Sequence, residues 1–313
     1  MSRPSAGRIL VIKLSSLGDV LMCLGAFQAI RAQHPAAELV LLTTRPYVEL
    51  AEASGHFDAV WCDSRPRPLE VAGWIGLIRK LRRGGFGRIY DLQLSQRSAW
   101  YFRLLGPRWP EWVGVVPGCS HRYAPPAKPK HVMARHAEML EAAGIARVPP
   151  PDLSFLTADL SRFGLPPRTA LLVPGSSPHR QVKRWPVERY AELAKALAAR
   201  GVTPVVIGGD AERAAAREIT AVLPEARDLC GETGLPELAE LARGAVLAVG
   251  NDTGPLHLAA MAGTPVVALF CRESDPVKAR PPGARVAVLC RDSLQDLPSA
   301  EVVEAAEQLM QSA

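Results

Sequence analysis

Long hydrophobic runs are missing from this 313-residue chain. The most apolar stretches, 9–12 and 245–249, stop after four or five residues, against the ~20 that a bilayer-crossing helix needs, so no membrane span is expected. The first apolar stretch ends at Lys13, short of the ~7–15-residue core of a secretory signal, and a cytoplasmic protein is expected. Cysteine is scattered. Cys23, Cys62, Cys119, Cys230, Cys271 and Cys290 form no CxxC pair and have no histidines at zinc-finger spacing, which argues against a metal knuckle and a thioredoxin-like site and leaves small buried thiols. Asparagine occurs once, at Asn251. Its Asn-Asp-Thr sequon would carry sugar only in a secreted protein, so another demand holds it there. Three ligand signatures are absent as well. Without GxGxxG a dinucleotide dehydrogenase is disfavoured, and without GxxxxGK[ST] a P-loop is. Without an Asp-x-Asp pair to hold a divalent cation on a diphosphate, leaving-group charge falls to Lys183, helix N-termini and hydroxyls, so no metal and no cofactor beyond a co-substrate is expected.

What is present suits two α/β domains: 48% of residues are apolar and 22% charged. Charge divides unevenly. Residues 1–150 hold 20 Lys and Arg against 11 Asp and Glu, and residues 151–313 hold 17 against 20. A basic first half suits an anionic surface such as phospholipid headgroups or a phosphorylated glycolipid. Its alternative is a solvated arginine face, since the chain uses 30 Arg and only 7 Lys. Basic residues are not interleaved with aromatics as a nucleic-acid stacking platform would be, so no nucleic-acid partner is expected.

Apolar runs of four to six residues alternate with segments of helical period, the form of β-α units on a parallel sheet. The pattern predicts strands at 8–14, 38–43, 59–61 and 88–92 in the first half, a loop at 15–19, and helices at 20–33 and 95–105. It breaks into a proline-rich crossover over 148–168. Strands at 169–173, 204–207, 245–249 and 266–269 then alternate with helices at 187–200, 211–222, 235–243 and 255–262, before a last helix at 299–309 that Ser299 can cap.

Open parallel sheets bind ligands at the carboxyl ends of their strands, and three such loops carry chemistry. In Lys13-Leu14-Ser15-Ser16-Leu17-Gly18-Asp19, Gly18 allows close backbone approach, the serines offer hydroxyls and amides, and Asp19 is either a helix cap or a general base. In Pro174-Gly175-Ser176-Ser177 running to Lys183-Arg184-Trp185-Pro186, Lys183 is either a phosphate-binding point charge or a surface lysine beside a packing tryptophan. In Gly250-Asn251-Asp252-Thr253-Gly254-Pro255-Leu256-His257, amides at a helix start, a hydroxyl and a carboxylate suit a sugar diphosphate, and His257 is either a core histidine or a donor to phosphate.

The run VIKLSSLGD (residues 11–19), the stretch from Asp91-Leu92-Gln93 to Arg97-Ser98, Lys183-Arg184-Trp185-Pro186, and Asn251-Asp252-Thr253-Gly254 with His257 together resemble the glycosyltransferase family 9 heptosyltransferases, over nearly the whole chain and in the right order. The resemblance implies an α/β GT-B fold: two Rossmann-like domains facing each other across a deep cleft, residues 1–155 binding acceptor and 156–298 nucleotide sugar, with a C-terminal helix at 299–313 packing back toward the first. It implies Asp19 and Lys183 as catalytic residues, and Ser15, Ser16, Gly18, Glu212, Asp252, Thr253, Gly254 and His257 as donor-binding ones. It implies Asp91, Gln93 and Arg97 on the acceptor side. Gly25 stands where the family usually has proline, and 178–181 look like an insertion between Gly175 and Lys183. The implied reaction is inverting, metal-independent transfer of a heptose from ADP-heptose to the lipopolysaccharide core, by a protein peripheral to the inner face of the inner membrane. The rival readings are a sugar-nucleotide epimerase or hydrolase, and a non-catalytic sugar-nucleotide-binding module.

Overall fold

The computed structural model describes residues 7–106, 110–176 and 181–311. Ser177 and residues 178–180, expected as an insertion, lie outside the described residues. The chain forms two compact units, Met1–Asp152 and Leu153–Ala313, dividing three residues before the expected boundary.

The first unit is built on six parallel strands: β1 (Arg8–Ile12), β2 (Glu38–Thr43), β3 (Ala59–Cys62), β4 (Phe86–Asp91), β5 (Glu111–Gly114) and β6 (His121–Arg122). Its helices are α1 (Leu17–Leu21), α2 (Leu24–Gln33), α3 (Val48–Ala53), α4 (Val71–Arg83), α5 (Gln96–Leu105) and α6 (Val132–Ala142). The second unit has β7 (Thr169–Val173), β8 (Thr203–Val206), β9 (Arg227–Asp228), β10 (Leu247–Asn251), β11 (Val266–Cys271) and β12 (Val286–Arg291). Its helices are α7 (Val187–Ala198), α8 (Arg213–Val222), α9 (Leu235–Gly244), α10 (Gly254–Met261), α11 (Pro276–Ala279) and α12 (Ser299–Gln311). The sheet orders are β3-β2-β1-β4-β5-β6 and β12-β11-β10-β7-β8-β9. Read from its other edge, the second repeats the first. Both are the doubly wound 3-2-1-4-5-6 order, whose winding reverses at one place, the usual ligand position. That place lies between β1 and β4 in the first unit and between β7 and β10 in the second.

Helices cover both faces of such a sheet, so its central strands read as unbroken apolar runs, and β7 and β10 are buried at every residue. In the first unit Leu10, Ile12, Val40 and Leu42 of the sheet pack with Leu77, Ile78 and Leu81 of α4 and Tyr101 and Leu105 of α5. In the second, Leu172, Val206, Val249 and Leu269 pack with Leu193 and Leu197 of α7 and Ile219 of α8. The last helix buries Val302 and Ala306 in this second core and packs on α7. Among the described residues no helix is long and apolar enough to cross a membrane.

The helix expected over 20–33 begins earlier and is interrupted. It is divided into α1 and α2 at Met22 and Cys23, and Asp19 lies inside α1 rather than in the preceding loop. At Gly25 a Cβ would stand 2.0 Å from the carbonyl oxygen of Pro149, so the backbone after α6 lies across α2 where only glycine fits. The six cysteines are free thiols, although Cys62 and Cys290 are exposed rather than buried.

Candidate active site

In the first unit the chain leaves β1 through buried Lys13, turns at Ser15 and Ser16, and enters α1 with Ser16 as N-cap. Asp19, at the third helical position, accepts from the Ser16 amide (3.1 Å) and hydroxyl (3.0 Å) through Oδ2. This is a capping box closed by aspartate, so the carboxylate has a structural duty. The amides of Leu14 and Ser15 donate to Gln93 Oε1 at 2.8 and 3.3 Å. Both serine amides are thus satisfied within the unit. Gly18 is buried in α1.

Gln93 follows β4, so the two loops that meet here flank the reversal between β1 and β4. Asp91 sits beneath them, fully buried, its Oδ1 accepting from the Gln93 and Leu94 amides at 3.1 Å each. Burial pushes its carboxyl up to about 6, against the opposing pull of these bonds and the Lys13 charge. Asp91 and Gln93 therefore shape the Ser15 turn. Arg97, on the first turn of α5, donates to the Tyr101 hydroxyl (2.6 Å) and the Pro66 carbonyl (3.2 Å) and lies 3.6 Å from Asp63, to which Tyr101 also donates. Asp63 and Tyr101 went unnoticed in the sequence because they are 38 residues apart and neither lies in a recognisable motif.

The second unit brings three of the expected residues into one cluster. Asp252 follows β10, and its Oδ2 is 3.3 Å from Lys183 Nζ while its Oδ1 is 3.2 Å from His257 Nε2. Burial pushes the Asp252 carboxyl up, but the His257 hydrogen bond and the His257 and Lys183 charges outweigh it and hold it below the usual range. The Nδ1 of His257 is buried without a partner. Thr253 is the N-cap of α10; its hydroxyl donates to the Asn251 carbonyl (3.2 Å), and Pro255 stands in the first turn. Helix N-termini leave amides unsatisfied, so the Gly254 end of α10 offers positive potential beside this cluster.

Asn251 connects the parts. Its Nδ2 donates to the carbonyls of Pro174 (2.8 Å) and Gly175 (3.2 Å), and its Oδ1 accepts from the Trp185 amide (3.2 Å) and the Tyr190 hydroxyl (3.3 Å). A buried amide using both ends this way ties the loop after β7 to the strap carrying Lys183. That is the demand the lone asparagine answers. Trp185 is the core anchor of that strap, 1% exposed, with its indole N–H donating to the Leu297 carbonyl at 2.9 Å. Glu212 reaches the same edge: its Oε2 accepts from the Gly209 amide at 2.9 Å, and its carboxyl lies on Gly175, where a Cβ would come within 3.1 Å. At Gly250 a Cβ would lie 2.6 Å from the Val173 carbonyl oxygen, so β10 and β7 need glycine to approach this closely. Among the described residues no three His, Cys, Asp or Glu side chains gather as a metal site would require.

Comparison with known proteins gives four further findings. The family model for glycosyltransferase family 9 (heptosyltransferase) matches residues 74–310. Lipopolysaccharide heptosyltransferase 2 of Escherichia coli K12 is 28% identical over 295 residues, covering 84% of this chain and 82% of the relative. Among solved structures, a family 9 glycosyltransferase from Veillonella parvula superposes with a TM-score of 0.80 at 20% identity, over 98% of each chain. The E. coli heptosyltransferase WaaC, solved with ADP-2-deoxy-2-fluoro heptose, superposes with a TM-score of 0.75 at 21% identity, over 96% of this chain and 99% of that one.

Proposed function

The chain belongs to glycosyltransferase family 9 and has its GT-B fold of two Rossmann-like units, and from that membership we propose that it moves a heptose from ADP-heptose to the lipopolysaccharide core, with inversion and without a metal. The donor assignment rests on relatives named for heptose transfer and on the WaaC structure with an ADP-heptose analogue. The observation that carries it is the Lys183–Asp252–His257 cluster at the start of α10, placed where the winding of the second sheet reverses. A diphosphate arriving there meets the Lys183 ammonium and the amide end of α10, beside an Asp252 held between Lys183 and His257. Glu212, across Gly175, is the acid for the nucleotide ribose.

In this reading Asp19 is the base. Both hydrogen bonds recorded for its carboxylate go to Oδ2, so Oδ1 can take the proton of an acceptor hydroxyl. The hydroxyl oxygen bonds to the anomeric carbon as the bond from that carbon to the β-phosphate oxygen breaks, and ADP leaves from the opposite face. Lys183 and the Gly254 amide stabilise the charge growing on the departing phosphate. Ser15, Ser16 and Gly18 build the turn that presents Asp19, while Asp91, Gln93 and Arg97 form the acceptor side. The excess of basic residues in the first half suits a phosphorylated, membrane-anchored acceptor and peripheral attachment at the cytoplasmic face.

Asp19→Asn separates the two duties of this residue, because an amide oxygen still accepts from Ser16 but cannot take a proton. The variant should keep its melting temperature and ADP affinity and lose at least 10²-fold in turnover, the order of a lost general base. ADP should raise the melting temperature more than UDP or GDP. Near-wild-type turnover by Asp19→Asn sinks the base assignment. Turnover of ADP-heptose that ignores added acceptor sinks transfer in favour of hydrolysis or epimerisation.

A further inference from the structure

Seven large apolar side chains stand exposed among the described residues, and five of them, Leu69, Val71, Ile75, Trp100 and Leu104, fall on or beside α4 and α5. The two helices pack together and leave between them an apolar groove of about 870 Å³, walled by Val71, Trp74, Ile75, Trp100 and Leu104. Neither helix carries an acidic residue, yet together they bear six basic ones. Arg97 is turned inward toward Asp63, and Arg82 donates to the Leu104 carbonyl. Of the others, Arg79 lines the groove and Arg103 lies over the Trp100 ring, 5.3 Å from its centroid, while Lys80 and Arg83 line a neighbouring cavity that shares Arg79, with Lys80 4.8 Å from the Trp61 centroid. Scattered apolar residues on a surface need no explanation, but a contiguous patch rimmed mainly by cations does, with Glu70 at the N-cap of α4 the acidic exception and paired to Arg67. Apolar side chains flanked by arginine and lysine match an anionic leaflet, with rings and aliphatic groups entering the acyl boundary and cations meeting the phosphates.

We propose that the α4–α5 face docks the chain on an anionic lipid bilayer, with Ile75 and Trp100 inserted and Arg79, Lys80, Arg83 and Arg103 at headgroup level. This deepens the peripheral attachment proposed above and rests on it. The test sediments the full chain with phosphatidylcholine vesicles, with and without phosphatidylglycerol, at low and high salt. The wild type should pellet with the anionic vesicles. The double variant Ile75→Ser/Trp100→Ser should partition about tenfold less or weaker still, the order set by losing the burial of two half-exposed apolar side chains. Arg79→Glu/Arg103→Glu should bind less and lose most of its salt sensitivity. Vesicles should shift the tryptophan emission of the wild type to the blue, and Trp100→Phe should remove that shift while still pelleting. Each double variant should glycosylate a delipidated acceptor at the wild-type rate, so failure of the wild type in that assay counts against the catalytic reading alone. Undiminished pelleting of Ile75→Ser/Trp100→Ser refutes the proposal. So does a lipid-independent dimer dissolved by the same substitutions, which would give the groove to a second copy of the chain.

Discussion

Replacing Asn251 by aspartate exchanges one NH2 group for an oxygen and leaves the side-chain shape unchanged. In the wild type that NH2 donates to the carbonyls of Pro174 and Gly175 in a fully buried position. In Asn251→Asp both carbonyls lose their donor and face a carboxylate oxygen. Each unsatisfied buried group costs about 1–3 kcal/mol, so the pair costs about 4 kcal/mol before the buried charge is counted. At about 2–4 °C per kcal/mol for a unit of this size, the second unit should melt about 8–16 °C lower. The sign of the pH dependence follows. Burial beside two carbonyls raises the folded pKa of the introduced carboxyl above its unfolded value, so its neutral form, which can donate one bond, is favoured in the fold. The loss should be complete above the folded pKa and shrink as pH falls through it. Circular dichroism melts at about pH 8 and about pH 5 would measure both effects. Activity should fall further than stability, because the same bonds hold the strap bearing Lys183. A melting temperature within about 2 °C of wild type at the higher pH would show that Asn251 does not tie these loops together.

Lys183→Met should lower turnover about 10²–10³-fold with little change in fold, as for loss of one preorganised donor, and steady-state kinetics would measure it. Gly25→Ala drives a Cβ into the Pro149 carbonyl; the strain of about 1–3 kcal/mol exceeds the ~1 kcal/mol helix-propensity gain, so thermal melts should show net destabilisation. Burial holds His136, packed against Cys23, at a pKa of about 3. Its unfolded value is about 6.5, so its contribution is intact above about pH 6.5 and is lost by about 1.4 kcal/mol per pH unit as pH falls toward 3. His136→Met should flatten that part of the stability profile in denaturant titrations.

The central strands were legible because a sheet covered on both faces writes itself as continuous apolar runs, and β2 and β7 fall on their predicted residues. The short strands β5, β6 and β9, of which β6 and β9 are sheet edges, were not, since four residues or fewer among Pro, Gly and Arg carry no period. Helix α4 was missed although its apolar residues recur at helical spacing; its four basic residues and exposed Val71 and Ile75 blur the stripe. The start of α1 was readable in principle, because Ser16-x-x-Asp19 has the spacing of a capping box. In the second unit Lys183, Asp252 and His257 meet because Lys183 and Asp252 are opposite charges and His257, on the first turn of α10, lies within hydrogen-bond reach of the same carboxylate. In the first unit the sequence identified Gln93 and Arg97 but not their present partners, which are backbone groups and residues remote in the chain. Trp185 sits in the core, as a packing tryptophan should.

The strands beneath the second cluster are apolar along almost their whole length, and polar chemistry starts only where β7 and β10 end. Platform and instrument are therefore separable. Natural variation or an engineer can rewrite what lies beyond Val173 and Asn251 for another sugar without redrawing the foundation, so long as that one asparagine and the glycine before it are left alone.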